Sequence, residues 1–578
     1  MENKDKLAST RHSLAHLLAA AVLEIYPDTK NTIGPAVDNG FYYDFEFSKP
    51  ISDTDLEKIE KKMREILPTW KGFDHREVSA DEAKKTFADN PYKIELIEEI
   101  EKKGEKITFY TSGNFTDLCR GGHAEAEDMK KAGWKLSRVA GAYWRGDEKN
   151  KMLTRIYGLA FANPEDLSAY EKQMEEAEKR DHKKIGKEMG LFVFSELVGS
   201  GLPLWTPKGT IIRELLNDYV WELRKAKGYQ KVCIPHITKK ELYETSGHWE
   251  KYAEDLFKIH TREDHLYAMK PMNCPHHTQI FDSAQRSYRD MPQRYAETTM
   301  VYRDEQSGEL SGLSRVLSIT QDDAHVFCRE NQIEEEALAI WDIIETFYKT
   351  FGFELTVRFS RHDPAQREKY LGSDEVWAKA EGALESLMKQ RGVTWIDGLG
   401  EASFYGPKID FIARDAIGRV LQVATIQLDF NQPKNFGLVC INEKGEKEQV
   451  VMIHAAIMGS IERFMSTLIE HTAGVFPLWL APVQVKVIPI GENEEAYAKE
   501  FTELLKKNDI RAEIDLGNDS FGKKIRNAKT EKIPYFAVIG KKEVEANAVT
   551  LEGRGGSLGA MPKEEILKKF LEEIKTKA

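Results

Sequence analysis

Residues 297–327 read ETTMVYRDEQSGELSGLSRVLSITQDDAHVF and predict a strand, a polar turn and a second strand. β-Branched and aromatic residues dominate Thr298–Tyr302, and Arg315–Thr320 has the composition of an extended segment again. Between them, Ser307–Gly312 carries the glycine and serine residues that turns favour. The stretch therefore predicts a β-hairpin.

Two arginines flank the predicted turn, so a hairpin would bring the guanidinium groups of Arg303 and Arg315 towards one spot. Such a pair suits a triphosphate, because each guanidinium group can hold two phosphate oxygens in a fixed geometry. Glu305 adds an acceptor that could orient a nucleotide base or Arg303. Taken alone, a surface hairpin with scattered charges explains this stretch equally well.

Length and composition limit the class of protein. A chain of 578 residues suggests about four domains, and a hydrophobic content of 41% fits a globular protein with an ample core. No run of about 18 apolar residues is present, and MENKDKLASTRH lacks the apolar region of a signal peptide, so we expect a cytoplasmic protein without a membrane span. The net charge of -12 argues against a purely electrostatic nucleic-acid coat, and the 5 scattered cysteines form no disulfide framework.

The N-terminal region carries two pairs of possible metal ligands or hydrolytic residues. Ser9 or Thr10 is expected to cap a helix through about Ile25, on which His12 and His16 share one face. FTDLCRGGHAEAED then supplies Asp117, Cys119 and His123. From the residues alone, three interpretations remain: a zinc site, a pocket that positions a hydrolytic water, or surface histidines beside an inert cysteine.

Several stretches together resemble the class II aminoacyl-tRNA synthetases, in the threonyl-tRNA synthetase version. YRDEQSGELSGLSR followed by TQDDAH resembles motif 2, IIRELLNDYVWELRKAKGYQKVCIPHI resembles motif 1, and GSIERFMSTLIEH resembles motif 3. The resemblance extends from about Arg11 to the C-terminus. It implies an α+β multidomain protein, with a class II antiparallel sheet flanked by helices, an N-terminal α+β editing domain and a C-terminal α/β anticodon-binding domain.

The resemblance also implies the domain order. We expect the editing domain at 1–162, a charged, solvent-bridging linker helix at 163–188, the catalytic domain at 189–481 and the anticodon-binding domain at 482–578. The chain begins almost on the editing helix, so the further small β-rich domain that often precedes it in this family is expected to be missing.

The implied function is that of a threonine–tRNA ligase. Such an enzyme activates L-threonine with ATP, transfers it to tRNA(Thr), and hydrolyses mischarged seryl-tRNA(Thr) at a separate site. The partners implied are ATP with Mg²⁺, L-threonine, tRNA(Thr) and, through motif 1, a second copy of the chain in a homodimer. The rival interpretations are an RNA-binding regulator that does not charge tRNA and a hydrolase that only edits.

A catalytic zinc ion follows from the same resemblance. Cys274 in MKPMNCPHH, His325 in TQDDAH and His454 in VMIHAAIMGSIER match the three zinc ligands of the family, one ion per subunit. His276 and His277 are competitors that spacing alone does not exclude. Three protein ligands leave zinc an open position, which could bind the amino and hydroxyl groups of threonine. Valine lacks that hydroxyl and serine retains it, which explains why an editing domain is needed.

The remaining site residues are carried over from the family motifs onto this sequence. The catalytic residues are expected to be Arg303, Arg463, His248, Lys408 and Gln321; Asp323, Tyr405 and Gln427 to bind threonine; and Arg303, Glu305, Arg315, Ile319, Gln422, Thr425 and Arg463 to bind ATP. In editing, His12, His16, Cys119 and His123 would line a pocket that works without metal, supported by Lys93 and Asp117. Arg526 and Glu543 match anticodon contacts.

Four positions depart from the family pattern. CRGGH has Gly122 where proline is usual, and SRVLSITQDD has Leu317 in place of an arginine and Ile319 in place of a phenylalanine that stacks on adenine. In the C-terminal domain Glu552 stands where a recognition arginine is common, with Arg554 as a possible substitute. Because Ile319 lacks the aromatic ring that stacks on adenine, we expect weaker binding of ATP with unchanged chemistry.

Overall fold

The computed structural model describes residues 2–577, with side chains for 6–306 and 308–577. The chain divides after Glu175 into two compact units. Within residues 2–577 no helix combines the length and the apolar character needed to cross a membrane.

The first unit mixes helices with two antiparallel sheets. Its helices are α1 (Glu2–Ile25), α2 (Leu56–Ile66), α3 (Ala80–Thr86), α4 (Pro91–Lys102) and α5 (Ala126–Lys131). Its strands are β1 (Lys30–Asn31), β2 (Ala36–Val37), β3 (Gly40–Glu46), β4 (Asp74–Val78), β5 (Ile107–Ser112), β6 (Phe115–Leu118), β7 (Gly133–Tyr143) and β8 (Met152–Phe161). One sheet has the order β1-β3-β8-β7 with β2 paired to β3, and the other has the order β4-β5-β6.

Helix α1 is the centre of this unit. All residues from Ser13 to Val22 are buried, so the helix is enclosed on every side rather than along one stripe. It begins at Glu2, and the expected cap at Ser9 or Thr10 is wrong: the Thr10 hydroxyl donates to the Lys6 carbonyl inside the helix. A fully buried helix places His16 in the interior.

Helix α6 (Pro164–Lys179) crosses the division between the units and begins at Pro164, as the Asn-Pro pair predicts. The expected single linker helix is wrong, because Asp181 caps a separate helix α7 (His182–Glu188). Its residues His182 and Ile185 are buried, so α7 packs against the protein instead of bridging solvent.

The remaining helices of the second unit are α8 (Pro207–Ala226), α9 (Lys240–Ser246), α10 (His248–Lys251), α11 (Cys274–Asp282), α12 (Ile333–Thr350), α13 (Asp374–Arg391), α14 (Asn431–Asn435), α15 (Ile461–Thr472), α16 (Glu495–Lys507), α17 (Phe521–Thr530), α18 (Lys541–Glu545) and α19 (Lys563–Thr576). Its first strands are β9 (Phe192–Val193), β10 (Leu204–Trp205), β11 (Gln230–Lys231), β12 (Ile237–Lys239), β13 (Lys258–His260), β14 (Leu266–Met269), β15 (Gln293–Tyr302), β16 (Ser318–Cys328), β17 (Glu354–Arg361) and β18 (Trp395–Leu399). The later strands are β19 (Lys408–Arg414), β20 (Val420–Asp429), β21 (Val439–Ile441), β22 (Lys447–Gln449), β23 (Val451–Ser460), β24 (Val485–Pro489), β25 (Ala512–Ile514), β26 (Tyr535–Ile539), β27 (Ala548–Gly553) and β28 (Gly556–Pro562).

The large sheet of this unit has the order β11-β15-β16-β23-β20-β19-β17-β18 and is mainly antiparallel. Apolar side chains of α8, α12, α13 and α15 pack with it in one continuous core. Strand β20 lies in the interior of this sheet, between β23 and β19.

The hairpin from 297 to 327 is present as β15 and β16, with one boundary corrected. The second strand begins at Ser318 rather than Arg315. The Leu317 carbonyl still accepts the Arg303 N–H at 3.0 Å, but the Leu317 N–H donates to the Gly201 carbonyl at 2.9 Å instead of to the neighbouring strand. In the stretch that resembles motif 1, α8 is a long helix, and the strand that follows, β11, has two residues and ends at Lys231.

The C-terminal sheet has the order β25-β24-β26-β27-β28. Strands β24, β25 and β26 are parallel, as the alternation of strands and helices predicts, and β27 and β28 add an antiparallel hairpin. The predicted α+β multidomain architecture is confirmed.

Candidate functional site

Three predicted metal ligands from distant parts of the chain meet in the second unit. Cys274 begins α11, while His325 on β16 and His454 on β23 are direct cross-strand partners. The facing ring nitrogens, His325 Nε2 and His454 Nδ1, are 3.1 Å apart, and one ligand atom of each of the three residues lies within 4.8 Å of the others. All three side chains are buried.

The donor set fits a zinc ion. One thiolate and two neutral imidazoles are zinc ligands with bonds of about 2.0–2.3 Å, which this spacing accommodates. Burial, followed by the nearby His454, lowers the pKa of His325 well below its usual value, so that imidazole is neutral. Neutral imidazole is the form that binds a metal.

Each of the three residues has one further buried partner. Asp429 Oδ2 lies 3.1 Å from His454 Nε2, Gln432 Nε2 donates to Cys274 Sγ at 3.6 Å, and His277 Nδ1 lies 2.8 Å from His325 Nδ1. Asp429 and Gln432 are bonded to each other at 2.9 Å. Sequence reasoning missed both; their signal was the polar side chains of DFNQ (429–432), at and just after the end of the apolar strand β20.

The two competing histidines have different surroundings. His277 contacts Nδ1 of His325, the ring nitrogen that does not face His454, so it can hold the His325 ring in place. Both ring nitrogens of His276 are buried, and neither has a hydrogen-bond partner within residues 2–577. We have no physical account of His276.

The predicted threonine-binding residues surround this cluster. Asp323 accepts a hydrogen bond from Asn273 Nδ2 at 3.0 Å and lies 3.8 Å from His325 Nε2. Tyr405 stacks on the His454 ring, with centroids 4.7 Å apart, and its hydroxyl donates to Gln427 Oε1.

His248 is fully buried, with Nε2 3.7 Å from Cys274 Sγ. Burial, followed by the nearby His454 and Arg303, lowers the pKa of His248 to about 3. The imidazole is therefore neutral at pH 7 and lies beside the cluster.

The motif arginines converge on one region. Arg463 donates from Nε to the Ser314 carbonyl at 3.3 Å. Burial, then the positive charges of Arg303 and Arg315, lowers the pKa of Arg463. Arg315 bonds with Glu305 at 2.6 Å and Glu309 at 3.0 Å. The charges of Arg303 and Arg315 therefore both act on Arg463, and a region with three such arginines is suited to a polyanion.

A carboxylate that sequence reasoning missed organises the other predicted ATP contacts. Asp410 is fully buried and accepts hydrogen bonds from Arg358 at 2.9 Å, Ser360 at 2.7 Å and Gln422 at 2.8 Å, with Lys408 3.2 Å away. Gln422 and Lys408 are therefore held by one anion. The other predicted contacts are nearby in the sheet: Thr425 accepts from Gln427 Nε2 at 3.3 Å, Gln321 pairs across the ladder with Thr299, and Ile319 pairs with Val301.

The first unit holds a second cluster. One ligand atom of each of His12, His16, Cys119 and His123 lies within 4.8 Å of the others. His12 Nε2 is 3.1 Å and His123 Nε2 is 3.4 Å from Cys119 Sγ. Burial lowers the pKa of His123 to about 3 and raises the pKa of the Cys119 thiol.

A buried ion pair lies beside this cluster. Lys93 Nζ and Asp117 Oδ1 are 2.5 Å apart, and the Tyr43 hydroxyl donates to Asp117 Oδ2 at 2.5 Å. A cavity of about 360 Å³ is lined by these three residues together with His12, His16 and Cys119. Tyr43 was not among the predicted site residues.

Comparison with known proteins gives the family. Residues 257–472 match the family described as tRNA synthetase class II core domain (G, H, P, S and T), and 484–573 match the anticodon binding domain. A threonine–tRNA ligase from Cytophaga hutchinsonii is 47% identical over 97% of this chain and 88% of its own length. One from Rubrobacter xylanophilus is 46% identical over 99% and 89%. The chain belongs to the threonine–tRNA ligase family.

A solved structure agrees with this membership. The RNA binding domain of threonyl-tRNA synthetase from Cryptosporidium parvum is 34% identical with a TM-score of 0.65, and it covers 68% of this chain and 98% of that chain.

The departures from the family motifs have structural consequences. Gly122 adopts φ +83°, which proline cannot reach, so the CRGGH loop follows a backbone path closed to CRGPH. Arg554 donates to the carbonyls of Phe476 and Lys532, and Glu552 pairs with Lys529 at 3.1 Å. The interpretation of Arg554 as a substitute anticodon contact is not supported, because its guanidinium group is held by the backbone.

The two predicted anticodon residues differ in their surroundings. Arg526 is exposed on α17. Glu543 accepts hydrogen bonds from the Gly540 N–H at 2.9 Å and the Thr550 hydroxyl at 2.8 Å, which hold it at the start of α18.

Proposed function

We propose that this chain is a threonine–tRNA ligase that activates L-threonine with ATP and transfers it to tRNA(Thr). The observation that carries the proposal is the meeting of Cys274, His325 and His454 beside Asp323, next to three converging motif arginines. Amino-acid recognition and phosphate binding are thereby combined in one sheet.

Zinc held by Cys274, His325 and His454 would supply a Lewis acid with an open position for the amino and hydroxyl groups of threonine. Asp323 carries a carboxylate that suits the substrate ammonium, while Tyr405 and Gln427 bound the side-chain pocket. A pocket built to bind a hydroxyl rejects an isostere that lacks it by about 10⁴-fold or more, so valine is excluded. Serine keeps the hydroxyl and is only partly excluded.

Adenylation requires charge stabilisation and no covalent enzyme nucleophile. The threonine carboxylate attacks the α-phosphorus of ATP, and pyrophosphate leaves. Arg303 is assigned to the α-phosphate and Arg463 to the γ-phosphate, where fixed positive charge stabilises the charge that develops. Mg²⁺ enters with the substrate ATP.

The other proposed contacts complete the nucleotide and acceptor sites. Glu305, Arg315, Ile319, Gln422 and Thr425 are assigned to ATP, and Gln321 and Lys408 to the reacting groups. His248 is assigned to the acceptor end of tRNA, where its neutral imidazole can hold the terminal ribose hydroxyl by a hydrogen bond when that hydroxyl attacks the adenylate.

ATP–pyrophosphate exchange tests this proposal. We expect strong exchange with threonine, some with serine and little with valine, and loss of all three after zinc is stripped. Absence of exchange with every amino acid from folded, zinc-loaded protein would overturn the ligase assignment and favour an RNA-binding regulator.

We infer that the cavity of the first unit hydrolyses seryl-tRNA(Thr) without metal. Support comes from the four clustered residues His12, His16, Cys119 and His123 and from the Lys93–Asp117 ion pair beside them. Neutral imidazoles can hold a water by hydrogen bonds in the position from which it attacks the ester. Serine that escapes the synthetic site creates the need for such a step.

A deacylation assay with seryl-tRNA(Thr) tests this second site. Replacing both His12 and His16 by Ala is expected to abolish deacylation and let seryl-tRNA accumulate. His75→Ala is the matched control, because His75 is exposed in the same unit. Deacylation at the full rate in the double variant would make the pocket assignment wrong.

The domain boundaries, the anticodon contacts, the dimer interface and the cellular location are proposed from the resemblance to the family. We assign 1–162 to editing, 163–188 to the linker, 189–481 to catalysis and 482–578 to anticodon binding, with Arg526 and Glu543 as contacts. Motif 1 is assigned to a homodimer interface, and the enzyme to the cytoplasm. Sedimentation of the purified chain tests the dimer: a monomer at micromolar concentration would contradict it.

A further inference from the structure

Asp322, a buried carboxylate on strand β16 of motif 2, contacts an irregularity in the neighbouring strand β23. Gln321 pairs with Ser460 and Asp323 pairs with Ala456, so residues 457–459 of β23 lie opposite the single residue Asp322. This is a β-bulge, which takes backbone N–H groups out of the ladder. Such groups need another acceptor when they are buried.

Asp322 is that acceptor. Its side chain is 0% exposed, and its two oxygens accept the N–H groups of Ile457 at 2.9 Å and Met458 at 3.0 Å. Asp322 alternates along β16 with Gln321 and Asp323, whose side chains lie on the opposite face and belong to the proposed active site. One strand therefore carries the substrate residues on one face and the bulge anchor on the other.

Arg224 of α8 completes the anchor. Its side chain is 3% exposed, and Nη2 donates to the Asp322 carbonyl at 2.7 Å, lies 3.2 Å from Asp322 Oδ2, and reaches the Ala455 carbonyl at 3.4 Å. The guanidinium group thus binds β16 and β23 on the two sides of the bulge. It also neutralises a carboxylate that would otherwise be buried alone.

The bulge leads directly into the helix that carries Arg463. Gly459 ends it with φ +72°, and Ser460 then caps α15 by accepting the Arg463 N–H at 3.2 Å. A change in the bulge would therefore move the first turn of α15, where Arg463 lies, relative to β16.

We propose that Arg224 and Asp322 are positioning residues, which fix the bulge at 457–459 and so set the place of Arg463 relative to Gln321 and Asp323. The inference rests on the proposed ligase function for its kinetic meaning. Neither residue is assigned to the substrate. A buried ion pair is by itself weak evidence for stability, and the two directional bonds to the bulge are what give this pair a specific role.

Asp322→Asn is the first variant to make. Its amide keeps the shape but has one acceptor oxygen, so it cannot hold both bulge N–H groups. We expect a kcat about 100-fold lower and a KM for ATP that rises more than the KM for threonine, since small misplacements of catalytic groups have effects of this size. Exchange kinetics are measured at a temperature where circular dichroism shows both proteins folded.

Glu336→Gln is the matched control. Glu336 is 3% exposed and pairs at 2.6 Å with Arg294, whose side chain is 24% exposed. The variant therefore breaks a largely buried ion pair away from the proposed substrate contacts. We expect a similar fall in the thermal midpoint with kcat and KM within about twofold of wild type. If Asp322→Asn behaves like this control, the pair is only structural and the inference is overturned.

A second variant and a second measurement keep the test decisive. If Asp322→Asn does not fold, Arg224→Lys is compared in its place, because lysine keeps the charge but has a shorter side chain and no planar guanidinium group. An unchanged KM for ATP would again overturn the inference. Binding of radiolabelled ATP by equilibrium dialysis separates the two proposals. If the wild-type protein shows no ATP–pyrophosphate exchange, the ligase function is contradicted. If the wild type and the variant bind ATP equally well, the positioning role is contradicted.

Discussion

The Nε2 atom of His454 lies 3.1 Å from Oδ2 of Asp429, on the side of the imidazole opposite the nitrogen that faces His325. The carboxylate therefore selects the tautomer in which Nδ1 is free to bind a metal. Asp429 also accepts the N–H groups of Asn431 and Gln432, which hold it rigidly at the end of β20.

Asp429→Asn is predicted to weaken zinc binding by about 10- to 100-fold, as the loss of such outer partners does in other zinc proteins. The measurement is the rate at which zinc passes to a coloured chelator. Asp415→Asn is the control, because Asp415 is a buried carboxylate that caps a loop at 415–419 and pairs with Arg419. Equal zinc release from both variants would contradict the role of Asp429.

Arg315 shares its guanidinium group with two carboxylates, and one of them has no proposed ligand role. Glu309 lies 3.0 Å from Arg315 Nη2, and both side chains are about half exposed. Glu309→Gln is predicted to lower the KM for ATP by about two- to fivefold, because an exposed ion pair of this kind is worth roughly 0.2–1 kcal/mol and competes with phosphate. Glu330→Gln, which breaks the exposed pair with Lys379, serves as the control. A KM that rises in Glu309→Gln would show that Glu309 helps to place Arg315.

Ile319 occupies the position where the family stacks a phenylalanine on adenine. It lies on β16 opposite Val301 and is partly exposed, so there is space for a larger side chain on the site face. Ile319→Phe is predicted to lower the KM for ATP with little change in kcat, since aromatic stacking adds about 0.5–1.5 kcal/mol beyond burial. An unchanged KM would count against the assignment of Ile319 to the adenine.

The sequence was sufficient for features that depend on local pattern. The composition of 297–327 predicted the two strands and the turn that β15, β16 and the segment between them form, and the Asn-Pro pair at 163–164 gave the start of α6. The prediction that Cys274, His325 and His454 form one metal site came from resemblance to a family. No rule of residue spacing predicts contact between three stretches so far apart in the chain.

Features that depend on packing between distant segments could not be predicted in this way. Arg224 looks like one more charge on an amphipathic helix, and only the packing of α8 behind β16 makes it a partner of Asp322. The second strand starts late because Leu317 bonds to Gly201, more than a hundred residues earlier in the chain. The role of Asp410 likewise requires the side chains of three adjacent strands.

The histidines of the first unit make a prediction about pH. Burial lowers the pKa of His12, lowers that of His16 well below its usual value, and lowers that of His123 to about 3. A lowered pKa means that the charged form appears only at more acidic pH than the ordinary value of about 6.5. His123 should therefore stay neutral between pH 6 and 8, and His12 and His16 should become charged only at a more acidic pH than a free imidazole does. Seryl-tRNA deacylation, corrected at each pH for uncatalysed hydrolysis, is predicted to have no inflection near pH 6.5. A fall in rate with a midpoint there would mean that a cavity imidazole titrates as it does in water, and that the cavity is more open to solvent than its buried side chains indicate.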